Sequence, residues 1–237
     1  MLRVNVVTLF PELFAAPVRT SILGRAVAAQ LVSVKVVNLR DYTTDRHRTV
    51  DDYPYGGGAG MVLKPEPFYD ALDDLAPGGP VTLFSARGAP FTHDDAVRYS
   101  IATDVTLLCG HYKDVDHRVA ERDGVEEVSI GEFVMSGGEF GALCVLDAVV
   151  RLLPGALGDH ESAATDSYYD GLLSPPSYTR PEAYRGRRVP EVLLSGDHAR
   201  IRAWREAQAK RLTRIRRPDL WARYVADERS DENEERG

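Results

Sequence analysis

Five short aliphatic runs, each followed by a helix-like stretch, constrain the fold of this chain more than any other feature. Residues 2–9, 32–39, 81–84, 105–109 and 125–130 are dominated by Val, Leu and Ile, the composition of strands. Between and after them, residues 11–30, 65–75, 92–101, 114–122 and 138–153 carry helix-like patterns. Pro11 suits an early helical position, and Thr92 or Asp94 suits a cap. Strand and helix alternating at this spacing predict a largely parallel sheet with helices on both faces. No internal repeat is visible.

The alternation stops after residue 153. Residues 154–177 are rich in Gly, Ser, Ala, Asp and Pro without an apolar period, which predicts a linker. The expected organisation is a main domain over 1–157, a linker over 158–174 and a small basic helical domain over 175–226. A charged tail over 227–237 has nothing to bury and is expected to be disordered. Within the second domain, residues 189–194 form a short apolar run, and Ser195 is the candidate N-cap of a helix over 196–217 that carries Trp204 among arginines.

Charge separates the two parts. The chain is acidic overall, with a formal net charge of −7, yet residues 175–217 hold 12 Lys/Arg against 4 Asp/Glu. A basic segment on an acidic body is the asymmetry expected of a phosphate-binding surface. No apolar run approaches the roughly 18–20 residues that cross a bilayer. The opening LRVNVVTLFPELF has neither the basic start nor the cleavage site of a secretory signal. Both cysteines, Cys109 and Cys144, sit in apolar runs and are expected to be buried free thiols. These features predict a cytoplasmic protein.

The glycine-rich turns narrow the chemistry. A dinucleotide fold places such a turn after its first strand, and here the first strand runs into LFPELF, which has no glycine. GGGAG at 56–60 lacks the Lys-Ser/Thr ending of a phosphate-binding P-loop. The glycine turns instead follow the late strands: SARG (85–88), CGHY (109–112) and SIGEFVMSGG (129–138). Three loops at the carboxyl ends of neighbouring parallel strands converge on one crevice, the usual ligand position in open α/β sheets. The block VSIGEFVMSGGE (128–139) passes from strand through glycines into a helix, so its exposed backbone groups suit the edge of a purine.

Together with DRHRTVDDYPYGGGAGM (45–61), LLCGHYKDVDHRV (107–119), RLLPGALG (151–158), ATDS (164–167), GLLSPPSYTRP (171–181) and VPEVLLSGDHARIRAWR (189–205), this block closely resembles the bacterial tRNA (guanine-N1-)-methyltransferases. That family modifies the guanine 3′ to the anticodon. The resemblance spans nearly the whole chain. It implies a SPOUT-type α/β domain whose late segments form a deep trefoil knot around S-adenosylmethionine, plus a small, mainly helical C-terminal domain. It also implies a homodimer in which the linker and C-terminal domain of one subunit complete the cofactor site of the other. A magnesium requirement is associated with the family.

Carried over by position, the family's cofactor contacts fall on Gly110, Tyr112, Ile130, Gly131, Glu132, Phe133, Val134, Met135, Gly137 and Gly138, with residues 83–86 lining the same loop. Methylation at N1 of guanine requires removal of a weakly acidic proton while negative charge develops on O6, so a carboxylate base and a cation are needed. The family pattern puts these at Asp166 and Arg151. Read without the family, Arg151 suits a helix C-terminus and Asp166 a turn. Lys113, Asp114 and Ser167 are expected to touch the target nucleotide, and Arg214, Arg216 and Arg217 the tRNA backbone.

Three positions depart from the family. Its G-R-Y-E-G-x-D block appears here as Gly110-His111-Tyr112-Lys113-Asp114-Val115-Asp116, so Lys113 replaces a carboxylate and Asp114 replaces a glycine. Ser174 stands where the family has an aspartate. A charged lysine accepts no hydrogen bond, so either Asp114 or the neighbouring backbone takes the acceptor role, or activity is weakened. The expected function is methylation of guanine 37 in tRNA, next to a guanine at 36. The alternatives are a catalytically silent tRNA-binding protein and a SPOUT enzyme acting on a ribose 2′-OH.

Overall fold

The computed structural model describes residues 1–157 and 166–234, with side chains described as far as Glu228. The chain divides into two compact units, Met1–His160 and Glu161–Gly237. In the first unit, β1 (Leu2–Thr8), α1 (Ser21–Ala28), β2 (Val32–Asn38), β3 (Asp51–Asp52), β4 (Val62–Leu63) and α2 (Pro65–Leu75) come first. They are followed by β5 (Val81–Pro90), α3 (His93–Ser100), β6 (Asp104–Leu108), β7 (Asp114–Val115), α4 (His117–Ala120), β8 (Val125–Ser129) and α5 (Glu139–Val150). Five of these strands form one sheet in the order β2-β1-β6-β5-β8, and every pairing in it is parallel. The expected α/β class and all five expected main strands are therefore present.

Side-chain alternation builds a core on each face of the sheet. Val4 and Val6 of β1, with Val105 and Leu107 of β6, pack against Leu23 of α1, Tyr99 of α3 and Val145, Leu146 and Val149 of α5. On the other face Val7, Val81, Leu83 and Leu108 meet Phe68 and Leu72 of α2 and Val119 of α4. Each such side chain, fully buried, contributes roughly 1.5–3 kcal/mol of transfer free energy. Polar groups in the interior are paired. Thr82 and Tyr99 hydroxyls bond each other at 2.6 Å, and the buried Asp104 accepts from the Gly78 and Gly79 N–H groups, both at 3.1 Å.

Local chemistry explains where the elements begin and end. Thr92 and Asp95 form a reciprocal capping box at the start of α3, as one of the two expected caps. The helix expected over 11–30 is instead two 3₁₀ turns, Pro11–Phe14 and Pro17–Arg19, followed by α1. Pro17 supplies no N–H to continue the first turn, and Thr20 is extended at φ −116°, ψ 149°. The helix expected over 114–122 shrinks to α4. Residues 114–115 are drawn into a three-stranded sheet, β3-β4-β7, by pairing of Val62 with Asp114 and Leu63 with Val115. Cys109 is buried as expected, but Cys144 is exposed on α5, because it lies on the side of that helix away from the sheet core.

The second unit contains a short hairpin of β9 (Ala183–Tyr184) and β10 (Arg187–Arg188), then α6 (Glu191–Leu194), α7 (His198–Arg216) and α8 (Pro218–Glu234). Asp197, not Ser195, caps α7, its carboxylate accepting from the Ala199 and Arg200 N–H groups. Gly196, at φ +70°, makes the turn between Ser195 and that cap. Residues 166–174, expected as linker, fold onto this unit: Leu172 is buried and the Leu173 N–H donates to Thr213 Oγ1 at 2.8 Å. Gly158–Thr165 of the expected linker lie outside the described residues. The expected disordered tail from residue 227 is instead helical through Glu234, where it continues α8, with three Glu and one Arg as its helix-favouring residues. No helix among the described residues is long and apolar enough to cross a membrane.

Candidate active site

Strand order decides where the three late turns meet. β5 lies between β6 and β8, so the segments leaving their carboxyl ends emerge side by side. β5 adds an irregularity: Phe84 and Ala89 both pair with Val128, which extrudes Ser85–Gly88 from the ladder. Gly88 is required there, because a Cβ would lie 2.3 Å from the Val128 nitrogen. The extruded turn, the Gly110–Val115 turn and the Val128–Gly138 segment together wall an open cleft of about 200 Å³.

Nine of the ten expected cofactor residues line this cleft: Gly110, Tyr112, Ile130, Gly131, Phe133, Val134, Met135, Gly137 and Gly138. Glu132 is exposed and is not on its wall. The turns are packed backbone to backbone. The Gly138 N–H donates to the Gly110 carbonyl at 2.9 Å, and a Cβ on Gly138 would stand 2.9 Å from Cys109 Cα and 3.1 Å from Phe84 Cβ. Such a cradle fits a nucleoside with polar edges, which main-chain N–H and C=O groups read and small residues allow to approach. At about 200 Å³ the space falls below the usual range for an enclosing small-molecule site, so a nucleoside-sized ligand is held here with one side open. Phe133 and Val134 are 58% and 90% exposed at that open side.

Lys113 and Asp114 both line the cleft, with different surroundings. The Lys113 N–H donates to the Met61 carbonyl at 2.9 Å, its side-chain stem crosses Gly60, and its amine has no ion-pair partner among the described residues. Asp114 is engaged on both oxygens. Arg87 Nη1 donates to Oδ2 at 2.8 Å and Nη2 to Oδ1 at 3.3 Å, and Oδ1 also accepts from the Val115 N–H at 2.8 Å. Arg87 reaches Glu127 as well, at 3.4 Å. The hydrogen bond to Asp114 is the main cause that raises the Arg87 pKa. Asp114 thus spends its acceptors on Arg87, and the sequence-based assignment of it to the target nucleotide has to compete with that pair. Arg87 was not among the expected site residues, although SARG had marked its turn.

Beneath the cleft lies a second group that the sequence had not marked. Glu139, the first residue of α5, is buried and accepts from Thr8 Oγ1 at 2.8 Å. Its other oxygen faces Nδ1 of His111 at 3.9 Å. Cys109 is held firmly as a thiol, its pKa pushed well up by burial and then by the Glu139 charge, so it serves as core rather than nucleophile.

The remaining expected residues fall on both units. Arg151 closes α5 in the first unit, its N–H bonded to the Asp147 carbonyl at 3.2 Å. In the second unit Asp166 lines a large groove with Leu172, Tyr178, Arg180 and Arg205. Ser167 shares a 3.0 Å hydrogen bond with Ser174 and accepts from the Ser174 N–H at 2.9 Å. Arg214 and Arg216 are exposed on α7, whereas Arg217 is paired with Asp219 through two bonds at 2.9 and 2.6 Å. Among the described residues no cluster of three or more His, Cys, Asp or Glu is arranged to hold a metal ion, and no step is assigned to one.

Comparison with known proteins places this geometry in context. Residues 2–223 match the family model described as tRNA (Guanine-1)-methyltransferase TrmD. A tRNA (guanine-N(1)-)-methyltransferase of Rhodopseudomonas palustris is 48% identical over 93% of this chain and 88% of its own length. One from Rhodospirillum rubrum is 49% identical over 95% of both chains, and one from Lactiplantibacillus plantarum is 44% identical over 98% of this chain and all of its own.

Proposed function

Because that match spans residues 2–223, the chain belongs to the tRNA (guanine-1)-methyltransferase family, and we propose that it methylates N1 of guanine 37 in tRNA, next to a guanine at 36. The observation that carries this reading is the cleft itself, three glycine-bearing turns at the ends of adjacent parallel strands. The methyl donor is S-adenosylmethionine, which supplies a methyl group on a sulfonium. The small residues Gly110, Gly137 and Gly138 allow close approach of its adenosine, while Ile130, Phe133 and Met135 enclose the ring. The domain is of the SPOUT type, with its late segments knotted around the donor.

Asp166 removes the N1 proton as general base, and Arg151 stabilises the charge developing on O6. Ser167 sits beside the base. Arg214 and Arg216, with Arg217 at the helix end, hold phosphates and give register rather than base choice. The working unit is a homodimer in the cytoplasm. Helix α5 supports self-association: it is apolar on nearly all sides, as buried helices are, yet Phe140 and Cys144 are exposed. Exposed Phe133 and Val134 extend the same apolar surface requirement, since one protomer leaves the donor cleft open.

The test is methyl transfer from labelled S-adenosylmethionine to tRNA transcripts that differ only at positions 36 and 37. Transfer is expected only with guanine at both. Equal labelling of a transcript with adenine at 37 refutes attack at guanine N1 and favours ribose methylation. Binding of tRNA without transfer to any transcript favours a silent binding protein.

A further inference from the structure

A carboxylate placed in a protein core is unfavourable unless its oxygens are engaged. Glu139 is 2% exposed, and the mechanism above gives it no task. Its Oε1 is fixed by Thr8, whose hydroxyl also accepts from the Phe10 N–H at 2.9 Å, so the carboxylate is tied to the end of β1. Its Oε2 points across a narrow gap at Nδ1 of His111, 3.9 Å away. That nitrogen is buried and has no hydrogen-bond partner among the described residues.

The gap is kept open by Gly137. A Cβ there would lie 2.3 Å from Glu139 Oε2 and 2.5 Å from His111 Nδ1, filling the space between them. The imidazole is already oriented from both sides, by the Phe10 ring at 4.7 Å and the Tyr112 ring at 5.2 Å. Its backbone pairs with that of Gly137. An acceptor, an unpartnered nitrogen and a side-chain-free corridor therefore face each other where two walls of the cleft cross.

We propose that Glu139 is a positioning residue for the methyl donor: it takes a hydrogen bond from the Nδ1–H of His111 when the cleft is filled, clamping the Gly110–Tyr112 turn to the Gly137–Gly138 turn. An approach of about 1 Å brings the pair to hydrogen-bond length. The clamp acts on donor affinity, because both turns it joins are walls of the cleft. It rests on the reading of that cleft as the donor site.

The experiment measures S-adenosylhomocysteine affinity by calorimetry, and the tautomer of His111 by nitrogen NMR of histidine-labelled full-length protein. His111→Phe keeps the ring packing and removes the donor nitrogen. It is expected to weaken affinity about tenfold, the scale of one hydrogen bond to a charged acceptor, with the melting temperature of the ligand-free protein near wild type. Glu139→Gln, which keeps an acceptor oxygen, is expected to lose less than Glu139→Ala. Saturating wild-type protein should turn the His111 Nδ1 signal, assigned by its absence from His111→Phe, into that of a protonated nitrogen. An Nδ1 that stays unprotonated at saturation, or wild-type affinity in His111→Phe, overturns the clamp while leaving the donor site intact. Failure of the wild-type protein to bind S-adenosylhomocysteine overturns the donor site and the clamp with it.

Discussion

Replacing Asp114 with Ala removes two bonds from Arg87 and one from the Val115 N–H. The Arg87 and Asp114 side chains are 55% and 41% exposed, so their pairing is screened and contributes roughly 0.5–1 kcal/mol, the upper part of the range for surface pairs because it is bidentate. The local bond to Val115 adds about 0.5–1.5 kcal/mol. Together the loss is about 1–2.5 kcal/mol, or a fall of about 2–10 °C in melting temperature for a chain of this size. Lys113→Ala breaks no ion pair and should stay within about 0.5 kcal/mol of wild type. Thermal melts in about 20 mM and 500 mM salt separate the contributions, since only the Arg87 pair is screened away. The same variants are assayed for donor affinity, where Asp114→Ala should weaken binding because Arg87 joins the extruded turn to the Gly110–Val115 turn. A melting temperature within 1 °C of wild type for Asp114→Ala, with a larger loss for Lys113→Ala, refutes the reasoning.

The other predictions concern the base, the basic surface and pH. Asp166→Ala should slow single-turnover methylation by roughly 100-fold, the scale of a lost general base, with donor affinity unchanged; undiminished rapid-quench rates remove Asp166 from that role. Alanine at Arg214, Arg216 and Arg217 should weaken tRNA binding and flatten its salt dependence without changing the base modified. Arg217 should contribute least because Asp219 already holds it, so equal losses from the three single variants contradict this geometry. Burial and the 2.7 Å bond to Asp74 raise the Tyr42 pKa to about 12. The unfolded chain ionises this group near pH 10 and the folded one later, so its stabilising contribution is present below pH 10 and lost towards pH 12. Tyr42→Phe should make the fall of unfolding free energy over that interval shallower in urea titrations, and an unchanged slope rules out the assignment.

The main sheet was legible because its strands announce themselves locally: the Val- and Leu-rich runs at 2–9, 32–39, 81–84, 105–109 and 125–130 all pair. The two-residue strands β3, β4 and β7 were not, since a pair such as Leu63 with Val115 is too short to carry a period and its partner is far off in sequence. That non-local pairing also dissolved the start of the helix expected at 114. Ser195 looked like a cap by residue type, but Asp197 competes with a stronger acceptor two residues later. The cleft was legible from glycines that follow late strands. Its ion pair was not, because Arg87 and Asp114 are 27 positions apart and only the extrusion of Ser85–Gly88 brings them together. Glu139 was hidden for a simpler reason: an acidic residue in the first turn of a helix normally faces solvent and the helix dipole, and nothing local distinguishes one that faces inward.

Cys109 and Cys144, the two cysteines of the chain, are opposites in reactivity. Burial keeps Cys109 a thiol, while Cys144 stands exposed on α5. A protomer whose α5 side is uncovered therefore offers a single addressable thiol, and thiol-directed reagents should attach one equivalent to it without any engineered substitution. A fluorophore or spin label fixed there reports directly on the outer side of α5, near Phe140. Its protection from reagent as protein concentration rises is a distance-free meter of whether that side is covered by another copy.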